Sequence, residues 1–323
     1  MTSEGTICRG CNPISDLELS ARPSALMSVP NVLVIGASRS GTTSCYNYLR
    51  QHPEIYMSPV KEARFFAYEN QTLDFHGPAD RYTINRDSVT HWTAYQALFD
   101  GRTDEPIAGE ASPIYLYHPA AAATIQQYVP DCTLVCLLRN PIDRAYSDFL
   151  NMVRLGWEPL RDVEEALARE EERKAKHWGP FYHYGSKGHY ADQLQRYLDR
   201  FDRAQLCIYL FDDFVSDPIG VMQDLYERLG VDPTVRPAVE TAHNRSGLPK
   251  SDLLHAALTH PIAEAAFRGP LREVRQRWRE QNTRHEKPPM PPALRNRLRT
   301  RYRDDIVRLS EQIHRDLSHW LSD

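Results

Sequence analysis

The sequence predicts an α/β fold: a single domain whose central parallel β-sheet is flanked by helices and carries a P-loop-like phosphate-binding turn. Three observations predict it. Val32-Leu-Val-Ile35 and Thr133-Leu-Val-Cys-Leu-Leu138 are short apolar runs of the buried-strand type. Each is followed by residues with helical apolar spacing. The first run passes into its helix through the glycine turn Gly36-Ala-Ser-Arg-Ser-Gly-Thr-Thr43. Alternating strands and helices pair in parallel, and a parallel sheet needs cover on both faces.

Taken in order, residues 1 to 29 mix Ser, Gly, Pro and isolated charges without periodicity, so a flexible leader is expected there. The single domain then spans residues 30 to 323 and starts near Asn31. After the glycine turn, Cys45, Tyr46 and Leu49 mark a helix from Thr42 to Arg50. Asn140-Pro141 supplies a cap and a first-turn proline for a helix over Ile142 to Leu155. A charged helix is expected over Arg161 to Lys176, and Tyr190, Leu194, Leu198 and Phe201 mark one face of another. Gln205 to Leu210 is a further strand, and Val221 to Leu229 a helix closed by Gly230. Leu294, Leu298, Tyr302, Ile306, Leu309, Ile313 and Leu317 recur at spacings of three or four, which makes a long amphipathic helix that packs on the core. The Pro-rich stretch Lys287 to Pro292 reads as a connector within the same domain.

Of the 323 residues, 41% are hydrophobic and 25% charged, the composition of an ordinary globular protein. A net charge of -4 argues against general nucleic-acid binding, which needs a basic surplus, so any anion site must be local. No run approaches a membrane span and no signal peptide is evident, so a cytoplasmic location is expected. Cys8 and Cys11 form a CxxC with no second pair at zinc spacing, and Cys45, Cys132, Cys136 and Cys207 lie in apolar sequence. Reduced thiols and no metal site are expected. Nothing in the sequence fixes an oligomeric state.

The glycine turn carries the first chemistry. Backbone N–H groups and the positive end of a helix dipole converge on an anion at such a turn. Gly36-x4-Gly41 has the spacing of a nucleoside triphosphatase loop, yet Thr42 stands where that chemistry needs a lysine. The strand Thr133 to Leu138 ends in Arg139, where a magnesium-holding Asp would be. The phosphates are therefore expected to be bridged directly by side chains without a divalent ion. A P-loop kinase or triphosphatase is the rival reading, and a non-catalytic nucleotide-binding protein of the same fold is another.

The segment Ser38-Arg-Ser-Gly-Thr-Thr43 resembles the loop with which sulfotransferases surround the 5′-phosphosulfate of 3′-phosphoadenosine 5′-phosphosulfate. Arg139-Asn-Pro-Ile-Asp-Arg-Ala-Tyr-Ser147 resembles that family's 3′-phosphate segment, and the resemblance runs from about Asn31 to the C-terminus. It implies that Arg39, Ser40, Gly41, Thr42 and Thr43 bind one end of the donor and Arg139 and Ser147 the other. It also implies release of 3′,5′-adenosine bisphosphate with no metal required. The family more often has Lys at the place of Arg39, where it contacts the bridging oxygen. An arginine there keeps the charge and acts by electrostatics, not as a proton donor. His243-Asn-Arg-Ser-Gly247 is similar to a late donor-binding loop and makes Arg245 a further phosphate contact.

On the acceptor side, Val60-Lys-Glu-Ala-Arg-Phe-Phe66 is similar to the Lys-Glu-x-x-Phe-Phe segment of the heparan sulfate and bacterial branch, which makes Glu62 the catalytic base. An acceptor hydroxyl or amine must lose its proton as the new bond forms. The alternative for Glu62 is a solvated ion pair with Lys61 or Arg64, and both cations are candidate substrate contacts. Gly109-Glu-Ala-Ser-Pro-Ile-Tyr-Leu116 resembles a segment lining the acceptor cleft, with Ala111 where the heparan branch has Lys. Tyr184-Gly-Ser-Lys-Gly-His-Tyr190 resembles a cleft-lining loop and brings forward His189 as a substrate contact, with His183 beside it, against the alternative that both pack or hydrogen-bond. Arg268, Arg272, Arg275 and Arg279 form a solvated helix face or recruit an acidic acceptor. The resemblance implies sulfuryl transfer to a hydroxyl or amine of a carbohydrate or small molecule.

Overall fold

Five parallel strands carry the molecule: β1 (Val32–Gly36), β2 (Ile55–Met57), β3 (Ile107–Ala111), β4 (Thr133–Leu138) and β5 (Leu206–Leu210), in the order β2-β3-β1-β4-β5. This is a computed structural model, and it describes residues 29–239, 248–249, 283–284 and 288–322. The leader before Val29 lies outside the described residues. Alternate residues of β1 and β4 serve opposite faces. Leu33, Ile35, Leu134, Cys136 and Leu138 join one apolar cluster, and Val32, Val34, Val135 and Leu137 join the other. That two-sided burial explains their unbroken apolar runs.

The sequence left β2 and β3 unread as strands. β2 has only three residues, and Ile-Ala-Gly-Glu-Ala in β3 has one large apolar side chain. Crowding is the reason for the small residues: a Cβ on Gly109 would come within 2.7 Å of Val32 Cγ1.

The helices of the site are α1 (Thr42–Leu49), α2 (Phe65–Tyr68) and, after α3 (Ala121–Tyr128), α4 (Pro141–Leu155). The expected charged helix divides into α5 (Val163–Ala168) and α6 (Glu170–Ala175). Asp162 caps it by accepting from the Glu164 and Glu165 N–H groups, so it starts later than Arg161. Two of its charged residues face inward. Glu170 and Arg173 are buried, Glu170 accepting from Gly185 and Ser186 and Arg173 pairing with Glu158 at 2.8 Å.

Next come α7 (Tyr190–Leu198), α8 (Phe211–Ser216), α9 (Pro218–Leu229) and α10 (Pro292–Ile313). Gly230 closes α9 in the left-handed region. α10 ends before Leu317 because His314 turns left-handed (φ 53°), and Leu317 then buries its side chain outside the helix. Its stripe of Leu294, Leu298, Tyr302, Ile306, Leu309 and Ile313 is buried in the same cluster as α4 and α7. Asp305 on that stripe accepts from the Ala191 N–H and so caps α7.

Candidate active site

β1 ends at Gly36 and the chain turns through 37–41 into α1. Arg39 (φ 67°) and Gly41 (φ 89°) are left-handed, and a Cβ on Gly41 would press to 3.0 Å from the Phe214 ring. No side chain caps α1, and its first internal bond runs from Cys45 N–H to the Gly41 carbonyl at 3.0 Å. The N–H groups of its first turn are left without a side-chain partner and, with the helix dipole behind them, suit an anion. Arg39, Gly41, Thr42 and Thr43 line a cleft of about 730 Å3. Ser40, on the same loop, is fully buried and stands outside that lining.

The far wall begins where β4 ends. Asn140 caps α4 by accepting from the Ile142 N–H at 3.0 Å, and Pro141 fills its first position. That start puts Ser147 two turns along, on the cleft. Arg139 donates from Nη1 to the Arg39 carbonyl at 3.1 Å, and its guanidinium lies 4.6 Å from the centre of the Phe211 ring. Arg39 Nε donates to Ser147 Oγ at 3.4 Å. Burial pulls the Arg39 guanidinium down to about 10 with help from Arg154 and Arg139, while Asp148 holds it up. It remains a cation at neutral pH.

Opposite, Glu62 and Arg64 both adopt left-handed backbone, at φ 64° and 61°. Glu62 Oε1 accepts from Lys61 Nζ and Oε2 from Arg64 Nη2, each at 3.0 Å. The ion pairs expected as the alternative role of Glu62 are present, and Glu62 nevertheless lines the cleft. Burial pushes its carboxyl up, but the two cations more than offset that and hold it at about 2. Arg64 is 8% exposed and stacks 5.5 Å over the Phe181 ring.

A family model described as "Sulfotransferase family" matches residues 30–235. The chain belongs to that family. It is 27% identical over 331 residues to the bifunctional heparan sulfate N-deacetylase/N-sulfotransferase 4 of Mus musculus, covering 96% of this chain and 33% of that protein. It is 26% identical over 203 residues to the heparan sulfate glucosamine 3-O-sulfotransferase 3B1 of Homo sapiens, covering 63% and 46%. This sulfotransferase thus spans a third to a half of the length of those curated relatives. Among solved structures, a sulfotransferase from Alicyclobacillus acidocaldarius matches with a TM-score of 0.73 and 34% identity, over 91% of this chain and 99% of that one. The parallel sheet and its P-loop-like turn are the fold of that sulfotransferase.

The loop expected to bring histidines to the cleft of this sulfotransferase brings a lysine instead. His189 stands outside the lining, and its ring lies 5.2 Å from the Tyr302 ring. His183 is bound by Tyr117 and Trp178, and burial pulls it down to about 4. Lys187, between them, does line the cleft and donates to Asp148 Oδ2 at 2.6 Å, while Arg144 bonds the same oxygen at 3.2 Å. Sequence reasoning also passed over Asn151 and Arg154, which line the cleft with Ser147. Their spacing of four and three along one helix face was the available signal. Lys61 stands outside the lining, engaged with Glu62. Arg245, Arg268, Arg272, Arg275, Arg279, Cys8 and Cys11 lie outside the described residues. Among the described residues, no three His, Cys, Asp or Glu are grouped to hold a metal, and no helix is long and apolar enough to cross a membrane.

Proposed function

We propose that this sulfotransferase moves a sulfuryl group from 3′-phosphoadenosine 5′-phosphosulfate to a hydroxyl or amine of a carbohydrate or small-molecule acceptor. One observation carries the reading: the glycine loop with Arg39, the Arg139 and Ser147 pair, and the Glu62 carboxylate line one cleft of about 730 Å3. That volume suits a nucleotide-sized ligand with an acceptor group beside it. The groups present fit the donor. The uncapped N-terminus of α1 and Arg39 match an anionic phosphosulfate, and Arg139 with Ser147 offers a planar fork and a hydroxyl to a phosphate.

The donor, when bound, supplies sulfur joined to a phosphate leaving group. Arg39 and the first turn of α1 stabilise the charge that grows on the 5′-phosphate oxygen as its bond to sulfur breaks. Arg139 and Ser147 anchor the other end and hold that bond in line. Glu62 accepts the proton as the acceptor oxygen or nitrogen bonds to sulfur, and 3′,5′-adenosine bisphosphate departs. A carboxylate held at about 2 is a weak base, but bonding to sulfur makes the acceptor proton strongly acidic. The names of the heparan sulfate relatives favour a carbohydrate, and Trp157 and Phe181 in the lining supply aromatic faces for one.

Thermal shift tests the donor class. 3′,5′-adenosine bisphosphate should raise the melting temperature, and ATP with magnesium should raise it less at equal concentration. Preference for magnesium-ATP would favour the kinase reading and defeat this one.

A further inference from the structure

Glu62 and Arg64 hold left-handed backbone on a short turn, and such strain persists only where the surroundings over-determine it. The surroundings are specific. The Glu62 N–H donates to the Ala111 carbonyl at 2.9 Å, and the Arg64 N–H to Ser112 Oγ at 2.9 Å. Between them, the Ala63 N–H bonds to the Glu110 carboxylate. The Ser112 hydroxyl in turn donates to Glu110 Oε1 at 2.5 Å, and Tyr115 donates to Oε2 at 2.8 Å. Glu110 and Ser112 are fully buried and stand outside the cleft lining. A carboxylate buried at the end of a strand, away from the reacting groups, needs some purpose to offset its desolvation.

We infer that Glu110 and Ser112 are positioning residues that, together with the Ala111 carbonyl between them, clamp three consecutive N–H groups of the Glu62 turn and thereby aim the Glu62 carboxylate into the cleft. The inference rests on Glu62 being the base. The clamp reaches the reaction only through backbone: β3 is fixed in the sheet beside β1, and β1 leads into the glycine loop. One rigid sheet therefore sets the base relative to the anion loop. Side-chain ion pairs to Lys61 and Arg64 then finish the carboxylate's orientation, but they act on a turn whose path is already fixed.

The experiment compares Ser112→Ala, Glu110→Gln and Glu62→Gln, singly and combined, in the full chain. Turnover is read as loss of radiolabelled donor with water or a hydroxyl as acceptor, and donor-site integrity as the Kd for 3′,5′-adenosine bisphosphate. Ser112→Ala and Glu110→Gln should each lower kcat roughly tenfold to a hundredfold, the scale of a small misplacement of a catalytic group. The Kd should stay within about twofold. Added to Glu62→Gln, neither should lower kcat further, because groups acting through one base are not additive. Amide exchange over residues 60–66 should quicken in Ser112→Ala, a readout that does not require activity.

Losses that multiply with Glu62→Gln would mean a general structural role and overturn the clamp. So would unchanged kcat or unchanged exchange in Ser112→Ala, while a dead Glu62→Gln left the base reading standing. Wild-type turnover in Glu62→Gln would instead remove the base itself. Should Glu110→Gln fail to fold, Ser112→Ala carries the test alone.

Discussion

Arg139 Nη1 donates to the backbone carbonyl of Arg39 at 3.1 Å, so the guanidinium at the end of β4 also fixes the loop at the end of β1. The two ends of the proposed donor site are mechanically one piece. Arg139→Ala removes both a phosphate partner and that tether. A hydrogen bond to a charged group contributes about 1.5–3 kcal/mol, so the Kd for 3′,5′-adenosine bisphosphate should rise at least tenfold by calorimetry. Arg139→Lys should recover only part, because an ammonium lacks the planar fork that serves the phosphate and the carbonyl together.

Glu62→Gln should lower kcat about a hundredfold or more, the range of a lost general base, with little change in bisphosphate affinity. Its pH signature is equally specific. A base must be deprotonated to act, and Lys61 and Arg64 hold this carboxyl at about 2 against the upward push of burial. The kcat/KM profile should therefore show no acid limb from this group between pH 4 and 8. Arg64→Ala removes one of those cations, and an acid limb should then move up toward the ordinary carboxylate range.

The wall of the cleft proposed to hold the donor could be read in the sequence because its residues are local. Thr42 and Arg39 lie on one turn, and Arg139 and Ser147 on one strand end and the helix after it. Spacing marked the phosphate turn, and the resemblance to the sulfotransferase segments implied the role of each residue. The opposite wall, proposed to face the acceptor, depends on pairings that spacing cannot give. Lys187 reaches the cleft through Asp148, 39 residues earlier, and its neighbours His183 and His189 are turned away by Tyr117 and Tyr302. β3 was obscured for a related reason. Gly109 is small because Met57 and Val32 crowd it, and Glu110 is charged because it braces the Glu62 turn, so neither residue looks like a strand.

Asp148→Asn tests how far the buried charges beneath the cleft depend on one another. Asp148 is buried and shared by Lys187 at 2.6 Å and Arg144 at 3.2 Å, and Arg144 is fully buried as well. Neutralising the shared anion strands two buried cations. Breaking a buried pair from one side costs about 3–5 kcal/mol, and a loss of about that size is expected in urea unfolding. A loss under 1 kcal/mol would show that the cations find other partners.

Glu110→Gln should become more stabilising relative to wild type as pH rises. Burial pushes the Glu110 carboxyl up to about 7, only partly offset by bonds from Ser112, Tyr115 and the Ala63 N–H and by the charge of Lys61. The folded protein therefore keeps a proton that the unfolded chain releases near the ordinary glutamate value of about 4.3. Where the folded state binds more protons, stability falls with pH, so wild type loses this contribution between about pH 4 and 7. Glutamine has no proton to lose and escapes that slope, whatever constant offset its altered hydrogen bonds impose. The difference in unfolding free energy should shift in favour of Glu110→Gln by an amount on the order of 3 kcal/mol across the window and stay flat above pH 8. Parallel stability curves for the two proteins would mean that Glu110 is ionised throughout, held by its three hydrogen bonds despite complete burial.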